Sequence, residues 1–256
     1  MDERYVNKSL QRALRVIDVF TPDAKELSAT EIASALETLP GTLYPTLATL
    51  ERTGYLVRDD HKRYSLGLKL LERANLVLSR FDLRAAAQPH LMKVASEQNV
   101  NTHLAVLYDT SVMYLHREEG YPSVIIHEVV GQRAPAYCTA LGKVFLASFT
   151  EDRLNAYFAE TELVPLTPFT ITEPIRLKGE LMAVAEQGYA VDNEEFHEGS
   201  LCVAAPVLDF QGKTIAAASL SVAKSIVAGG HLQRFVDSIR SCAGQISTDL
   251  GYDGGG

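Results

Sequence analysis

Cysteine and histidine are the side chains of this sequence with the widest range of possible chemistry. The three cysteines, Cys138, Cys202 and Cys242, lie far apart and form no CxxC pair, which argues against a disulfide framework or a cysteine zinc site. Cys202 or Cys138 could act as a nucleophile with a histidine base. The sequence contains no GxSxG, HExxH, phosphate-loop or dinucleotide-binding motif to support catalysis. A cysteine-dependent enzyme is therefore the weaker alternative, and we expect neither catalytic residues nor a cofactor.

Two histidines are brought together by a predicted hairpin. If residues 109–110 form a two-residue loop between strands Thr102–Tyr108 and Ser111–His116, then His103 lies opposite His116. This pair has two interpretations, namely a metal or ligand contact, or two partly exposed imidazoles. No third ligand with suitable spacing accompanies the pair. That favours the second interpretation, and we expect no metal site.

The segment CTALGK indicates an anion-binding site. It predicts a loop that runs into a helix beginning near Thr139–Leu141. The first N–H groups of a helix lack intrahelical acceptors, and together with the helix dipole they favour an anion such as a carboxylate. Farther along the chain, Ser219 and Ser221 lie two residues apart on a predicted strand, so both point to one face of the sheet.

The N-terminal part predicts three short helices and then a two-stranded hairpin, which is the order of a winged helix-turn-helix domain. Ser9 is the expected N-cap of the first helix, and Ser28 or Thr30 that of the second, LSATEIASAL. The hairpin strands are expected at Leu56–Arg58 and Arg63–Ser65. In such folds the second helix of the motif enters the major groove of DNA. The apolar residues that repeat at helical spacing in the first helix are Leu10, Leu14, Ile17 and Phe20.

The third helix carries the residues that we expect at DNA bases. Leu43, Leu47 and Leu50 share one face, which we place inward. Pro45 inside a helix would cost about 3 kcal/mol, so we expect the regular helix to begin nearer Thr42 than the preceding proline. An ordinary surface helix is the alternative, but the neighbouring helices and the wing favour DNA binding. The expected DNA-contacting residues of this helix are Thr42, Tyr44, Pro45, Thr46 and Thr49.

The charge distribution permits DNA binding but does not establish it. The net charge is −8, of which residues 1–65 carry −1 and residues 66–256 carry −7. Phosphate contacts depend on local basic clusters and not on total charge. The expected phosphate contacts are Arg12, Arg15, Lys62 and Arg63.

The remaining chain divides into a connecting helix and a larger domain. The segment LGLKLLERANLVLSRF predicts a rigid helix. Beyond it, runs of strands with helices at both ends predict an α+β fold with a central antiparallel sheet, in which Ser123–Val130 is one strand. No run of 18 apolar residues and no apolar signal-peptide core occur, so we expect a cytoplasmic protein with no membrane partner. The predicted domains are 1–65, 66–81 and 82–256.

Seven segments carry a family resemblance: LQRALRVIDVF, LSATEIASAL, LPGTLYPTLATLERTGYL, YSLGLKLL, VGQRAPAYCTALGKVFLA, GYAVDNEEFHEGSLCVAAPV and AAASLSV. In order and spacing, from about Leu10 to Leu250, they resemble the IclR family of bacterial regulators. The resemblance implies a winged-helix domain, a linker helix and a GAF-like effector domain, in dimers, often paired into tetramers, on palindromic operator DNA. The family's recognition helix usually has a basic residue where this chain has Thr46, and rarely a proline at the position of Pro45. This departure concerns base readout and not DNA binding itself.

The resemblance also implies an effector site in the C-terminal domain, where the backbone at Ala140 and Leu141 contacts the ligand. We expect a small carboxylate-bearing effector (an aromatic acid is the main variant) with a hydroxyl, or a hydrated or enolised carbonyl, near Asp192. Without the resemblance, Cys202 is more simply a small buried residue, and the two serines of the strand more simply satisfy local backbone groups. The other functional alternative is an interaction module whose winged helix contacts no DNA. The expected effector-binding residues are Thr139, Ala140, Leu141, Asp192, Cys202, Ser219 and Ser221.

Overall fold

The computed structural model describes residues 7–21, 23–78, 83–120, 129–227 and 232–253, and for residues 75–78 it describes the backbone only. Contacts between Cα atoms divide the chain into two compact units, Met1–Phe81 and Asp82–Gly256. Within the described residues, no helix is both long and apolar enough to cross a lipid bilayer.

The first unit has the predicted order of three helices and a wing. Side-chain caps begin two of the helices: Asn7 caps the first through the N–H groups of Ser9 and Leu10, so Ser9 is not the cap. Ser28 caps the second in a reciprocal capping box with Glu31. The three short strands form an antiparallel sheet in the order β1-β3-β2. The elements are α1 (Lys8–Asp18), β1 (Leu27–Ser28), α2 (Ala29–Ala35), α3 (Pro40–Arg52), β2 (Leu56–Arg58), β3 (Arg63–Leu66) and α4 (Leu68–Leu78).

The buried face of α1 differs from the face that its leucines suggested. Leu10 and Leu14 are 59% and 54% exposed, whereas Val16 is fully buried and Ile17 is partly buried in the core of this unit. The periodicity located the helix correctly, but it did not decide which stripe of the helix packs inward. The core of the unit consists of Val16, Ile32, Ala33, Leu43, Leu47, Leu50, Leu56 and Tyr64.

The start of α3 corrects the prediction made from Pro45. The helix begins at Pro40, with Leu39 as an extended N-cap residue, and Pro45 lies inside it. Pro40 is itself suited to the first helical position, and it forces the preceding residue out of the helical region. The N–H that Pro45 lacks would have been donated to the carbonyl of Gly41, and Gly41 is exposed, so solvent can satisfy that carbonyl instead.

The second unit is built on a six-stranded antiparallel sheet in the order β6-β5-β4-β9-β8-β7, as far as the described residues extend. This confirms the predicted central antiparallel sheet. The predicted strand Ser123–Val130 falls mostly on residues 121–128, outside the described residues. The elements are α5 (Leu83–Gln98), β4 (Asn101–Tyr108), β5 (Ser111–Glu118), β6 (Arg133–Pro135), α6 (Ala140–Ala147), α7 (Glu151–Glu160), α8 (Pro174–Gln187), β7 (Ala190–Asn193), β8 (Ser200–Leu208), β9 (Thr214–Ala223), α9 (Lys224–Val227) and α10 (Leu232–Asp249).

Helices cover both faces of this sheet. Helices α5 and α10 pack on one face, where Leu104, Val203 and Leu220 point into their shared core. Helix α6 packs on the other face against the small side chains of Ala204 and Ala217, and α8 lies against α6. Because side chains alternate along a strand, neighbouring residues of β8 and β9 serve two different cores.

The β4–β5 hairpin follows the predicted pairing only near its loop. Tyr108 pairs with Ser111, and Ala105 pairs with Tyr114, as the two-residue loop requires. Between Leu104 and Ala105 the register shifts by one residue. Such a bulge inserts an extra residue into one strand and reverses the faces beyond it.

The bulge separates the two histidines that were predicted to face each other. His103 lies opposite Arg117, and His116 lies opposite Leu104, so that prediction is wrong. The two imidazoles are also buried, at 2% and 4% exposure, and not partly exposed. His116 accepts a hydrogen bond from Arg84 of α5, with 3.2 Å between Nε and Nδ1.

Candidate functional site

A narrow cavity lies between the N-terminus of α6 and the sheet. It contains about 310 Å³ of space not occupied by atoms, some of it open to solvent, and only about 10 Å³ of this can hold the centre of a water molecule. That is room for roughly one water. Six of the seven predicted effector residues lie together in its wall, and Ser221 does not. The lining residues are His103, Tyr114, Thr139, Ala140, Leu141, Asp192, Phe196, His197, Ser200, Cys202 and Ser219.

The N-terminus of α6 supplies backbone donors to this cavity. Thr139 is the N-cap, and its hydroxyl accepts from the N–H of Gly142 at 3.1 Å and donates to the carbonyl of Pro135 at 2.9 Å. The N–H groups of Ala140 and Leu141 come before the first possible intrahelical bonds, and both residues line the cavity. The helix start therefore offers two N–H donors and the positive end of its dipole to an anion.

Ser219 and Ser221 share a face of β9, as predicted, but only Ser219 reaches the cavity. Ser219 is paired with Ala204 of β8 and with His103 of β4, and it lies in the cavity wall. Ser221 is paired with Cys202 and lies two residues farther along β9. The two serines therefore form a matched pair, one inside the proposed site and one beside it.

Asp192 of β7 is the carboxyl group of the cavity. It is almost completely buried, and its Oδ1 accepts from the N–H groups of Glu195 at 2.7 Å and Phe196 at 3.3 Å. Burial raises the pKa of Asp192 from 3.8 to about 7, more than the two N–H bonds lower it. Near neutral pH, Asp192 can therefore carry a proton and donate to a hydroxyl or carboxylate oxygen of a ligand.

The raised pKa makes the stability of this unit depend on pH. We expect the contribution of Asp192 to be fully present below about pH 4 and to be lost as the pH rises through about 7, since the folded state binds a proton that the unfolded chain releases earlier. Asparagine resembles the protonated acid, so Asp192→Asn should be more stable than wild type at pH 8, with a smaller advantage at pH 5. Urea unfolding of both proteins, followed by circular dichroism from pH 4 to 8, measures this difference. A difference that stays constant over that range would contradict the raised pKa.

Helix α3 exposes most of the residues that we expect at DNA bases. Leu43, Leu47 and Leu50 are buried, as predicted. The hydroxyl of Thr49 donates to the carbonyl of Pro45 at 2.7 Å, so it remains available as an acceptor. Of the predicted residues on this helix, Thr46 is half-buried, and those exposed are Thr42, Tyr44, Pro45 and Thr49.

The predicted phosphate-contacting cations differ in their availability. Arg12, Arg15 and Lys62 are exposed. Arg63 is already engaged, because its guanidinium donates to the carbonyl of Glu26 at 2.5 Å and lies 3.5 Å from the carboxylate of Glu31. Arg63 therefore ties the wing to the segment before α2 in this structure.

Both units match models of one protein family. A model described as "IclR helix-turn-helix domain" matches residues 9–60, and one described as "Bacterial transcriptional regulator IclR C-terminal" matches residues 75–248. The chain belongs to the IclR family of transcriptional regulators. It is a DNA-binding regulator with an N-terminal helix-turn-helix domain and a C-terminal effector-binding domain, as the sequence predicted.

Full-length relatives of this IclR-family regulator are known by sequence and by structure. The regulator XynR of Escherichia coli is 34% identical over 246 residues, which cover 96% of this chain and 98% of XynR. The crystal structure of Thermotoga maritima IclR has a TM-score of 0.79 and 33% identity, covering 95% of this chain and 99% of that one. An IclR homologue from Microbacterium hydrocarbonoxydans, crystallised with 4-hydroxybenzoate, has a TM-score of 0.85 and 25% identity over the same shares of the two chains.

Sequence reasoning missed part of the cavity wall of this regulator. The rings of His103 and Tyr114 contact each other edge-to-face, with centroids 5.6 Å apart. Those of Phe196 and His197 lie 4.2 Å apart. The sequence singled out His103, but the favoured interpretation was a partly exposed imidazole and not a ligand contact. Its register opposite Ser219 was the missing signal. Phe196 and His197 lie in an irregular loop, where periodicity indicates nothing.

A second omission is Lys143, which belongs to the quoted motif ALGK. It is fully buried, and its ammonium group donates to Glu180 of α8, to Glu195 at 2.5 Å and to the carbonyl of Val191 at 3.2 Å. A lysine inside an otherwise apolar helix was the available sequence signal, because a buried ammonium requires carboxylate partners.

Two of the three cysteines, Cys138 and Cys242, lie in environments that do not favour nucleophiles. None of the three takes part in a disulfide. Burial raises the pKa of Cys138, which keeps it a thiol, and raises that of Cys242 to about 12. Cys202 is partly exposed in the cavity wall. Across the described ranges, no group of three or more histidine, cysteine, aspartate or glutamate side chains could hold a metal ion.

Proposed function

We propose that a small carboxylate-bearing effector binds in the cavity at the N-terminus of α6 and changes the affinity of the protein for its operator. The proposal rests on one observation: the N–H donors of Ala140 and Leu141 and the buried side chains of Asp192 and Ser219 line the same cavity. An anionic end would accept from the backbone, and a hydroxyl would meet Asp192. The homologue crystallised with 4-hydroxybenzoate makes a hydroxylated aromatic acid a suitable first probe.

The size of the cavity adds a condition. The cavity has room for about one water, whereas an aromatic acid needs several times that space. A ligand of that size therefore requires part of the wall to move, and we propose that the irregular loop that carries Phe196 and His197 does so. A thermal-shift screen of small organic acids tests the proposal, since a ligand that binds only the native state stabilises it by RT ln(1 + [L]/Kd).

We further propose that the regulator acts in the cytoplasm as a homodimer or a dimer of dimers on a near-palindromic duplex, and that it catalyses no reaction. Helix-turn-helix proteins read two half-sites through their own two-fold symmetry, which supports the dimer. We propose the functional division 1–65 for DNA binding, 66–81 as linker and 82–256 for effector binding.

The two serines of β9 test the location of the effector. Ser219→Ala is expected to weaken binding of 4-hydroxybenzoate, or of the best acid from the screen, by roughly fivefold, because one neutral hydrogen bond contributes about 1 kcal/mol. Ser221→Ala is the matched control and should leave the affinity unchanged, since Ser221 lies outside the cavity wall. Titration calorimetry measures both. Equal losses in the two variants would place the ligand elsewhere.

The DNA-contacting surface is tested by separating base contacts from phosphate contacts. Tyr44→Ala is expected to reduce the preference for operator over random duplex by about tenfold. Lys62→Asn should weaken binding to operator and to random duplex equally. It should also reduce the slope of log K against log salt concentration by about one in magnitude. Asparagine suits the positive φ of 62° at that position, and Lys213→Asn, in the other unit, is the control. Fluorescence anisotropy with the upstream intergenic duplex at several salt concentrations measures these affinities.

The opposite pattern would overturn the assignment. If Tyr44→Ala weakens specific and random binding by the same factor, the exposed arc of α3 does not read bases. If affinity does not depend on salt, the protein does not bind DNA through phosphate contacts at all.

A further inference from the structure

Lys143 joins three parts of the effector-binding unit at one buried point. It lies on α6, one turn after the residues that face the cavity, and its ammonium reaches Glu180 on α8, the Val191 carbonyl on β7 and Glu195 in the loop after β7. Glu180 is about one-third exposed, whereas Lys143 and Glu195 are buried. The more deeply buried ion pair of the loop is therefore directed inward, towards α6.

Glu195 connects this contact to the cavity. Its side chain pairs with Lys143. Its backbone N–H donates to Oδ1 of Asp192 at 2.7 Å, which is the shorter of the two hydrogen bonds that this carboxyl group accepts. The next residue, Phe196, gives the second N–H to Asp192 and places its ring in the cavity wall. One ion pair thus acts on both the orientation of the Asp192 carboxyl group and the ring that closes the cavity.

Neutral hydrogen bonds hold the same turn from its other side. The hydroxyls of Thr167 and Thr170 donate to the carbonyls of Glu194 and Glu195, each at 2.6 Å. These bonds fix the backbone to the segment before α8 and not to α6. Among the hydrogen bonds and ion pairs of the described residues, only the Lys143–Glu195 pair joins the turn to the helix that offers the N–H donors. The ring of Phe196 also packs against the apolar cluster that includes α6.

The stability of the fold alone does not explain why a lysine occupies this buried position. A buried ion pair stabilises a fold little or no better than apolar side chains of equal volume. One ammonium here faces the carboxyl groups of Glu180 and Glu195 with Asp192 nearby, and burial raises the pKa of Glu195. Such a costly arrangement is better explained by the geometry that it imposes on the turn.

We propose that Lys143 is a positioning residue for the effector, and that its ion pair with Glu195 holds the turn from Asp192 to Phe196 in the form that orients the Asp192 carboxyl group and closes the cavity. This inference rests on the proposed function, since it takes the cavity as the effector site. It predicts that loss of the pair loosens the turn even where the fold is intact.

Hydrogen exchange of the full-length chain tests this proposal without a ligand. The variants are Lys143→Met, the triple variant Lys143→Met/Glu180→Gln/Glu195→Gln, which leaves no unpaired buried charge, and Lys213→Met as an exposed-lysine control. We expect the amides of Glu195 and Phe196 to exchange at least tenfold faster in both Lys143 variants. In the triple variant, the amides of β8 and α10 should exchange as in wild type.

Two results would overturn the positioning role. The first is full recovery of the turn in the triple variant, which would show that Lys143 only balances buried charge. The second is unchanged exchange at Glu195 and Phe196 in both Lys143 variants. The proposed function is tested separately in wild type, where 4-hydroxybenzoate or another acid of the screen should slow exchange in the turn and alkylation of Cys202 by iodoacetamide. If no acid slows the exchange or the alkylation, the effector assignment fails. The comparison of exchange rates among the lysine variants still decides the role of Lys143.

Discussion

Gly142→Ala is expected to destabilise the C-terminal unit by about 3 kcal/mol or more, because the added methyl group overlaps backbone that cannot move aside. A Cβ at this position would lie 2.2 Å from both the Cα and the carbonyl oxygen of Ala136. For a unit of this size the loss corresponds to a melting temperature lower by roughly 6–12 °C. Thermal unfolding followed by circular dichroism measures it.

The same substitution should also remove effector binding at temperatures where the unit remains folded. Gly142 donates to the hydroxyl of Thr139, which caps α6, so a displaced helix carries the N–H groups of Ala140 and Leu141 with it. A shift of about 1 Å is enough to weaken a site that depends on positioned donors. Calorimetry with the acid found in the screen is the measurement.

Gly179→Ala is the matched control for this prediction. Gly179 lies inside α8, and a Cβ added there meets nothing within 4 Å. Alanine should therefore stabilise the unit by about 0.5–1 kcal/mol, because glycine costs more conformational entropy in a helix. If both substitutions shift the melting temperature in the same direction by similar amounts, the close approach of α6 to Ala136 is not what constrains position 142.

Lys143→Met is expected to destabilise the C-terminal unit by about 3–5 kcal/mol, the usual cost of leaving one side of a buried ion pair without its partner. Glu195 is the carboxylate most affected, since it is buried and its pKa is already raised by desolvation. The variant recovers neutrality at this site only by taking up a proton. The loss should therefore be smallest in acid and grow as the pH rises to 8, because the unfolded chain ionises there without cost. Urea unfolding at pH 5 and 8 measures both values.

Two comparisons make this result specific. Lys213→Met removes an exposed lysine and should change the free energy of unfolding by less than about 0.5 kcal/mol. The triple variant that also neutralises Glu180 and Glu195 should recover most of the loss. A Lys143→Met protein as stable as wild type at pH 8 would show that the two carboxylates reach water in the native state.

Local features of the fold could be read from the sequence where they depend on near neighbours. Ser28 and Glu31 predict a helix start because a capping box is complete within four residues. The leucines of α3 point inward because a helical stripe needs only its own period. The α6 donors and their threonine cap were likewise contained in CTALGK. The remaining polar cavity positions came from the family resemblance.

Local rules failed where two of them competed or where a strand departed from regular pairing. Pro40 and Pro45 each suggest a different helix start, and the structure begins α3 at Pro40 and tolerates Pro45 where Gly41 is exposed. The bulge in β5 sends His116 to the face of α5 and separates it from His103. A single inserted residue reverses the faces of a strand, and no turn rule predicts it.

The sequence by itself predicted three helices and a wing, the central antiparallel sheet and a helix start near Thr139, because each follows from spacing over a few residues. It did not predict the short elements β1, β6 and α9. The tertiary structure alone decided which polar residues meet. Lys143 finds its partners 37 and 52 residues away, and Ser219 enters the cavity while Ser221 does not. These outcomes depend on the positions of α6 and the loop after β7 relative to the sheet. Those positions are set by the packing of side chains that are distant in the chain, and neither periodicity nor motif spacing contains that information.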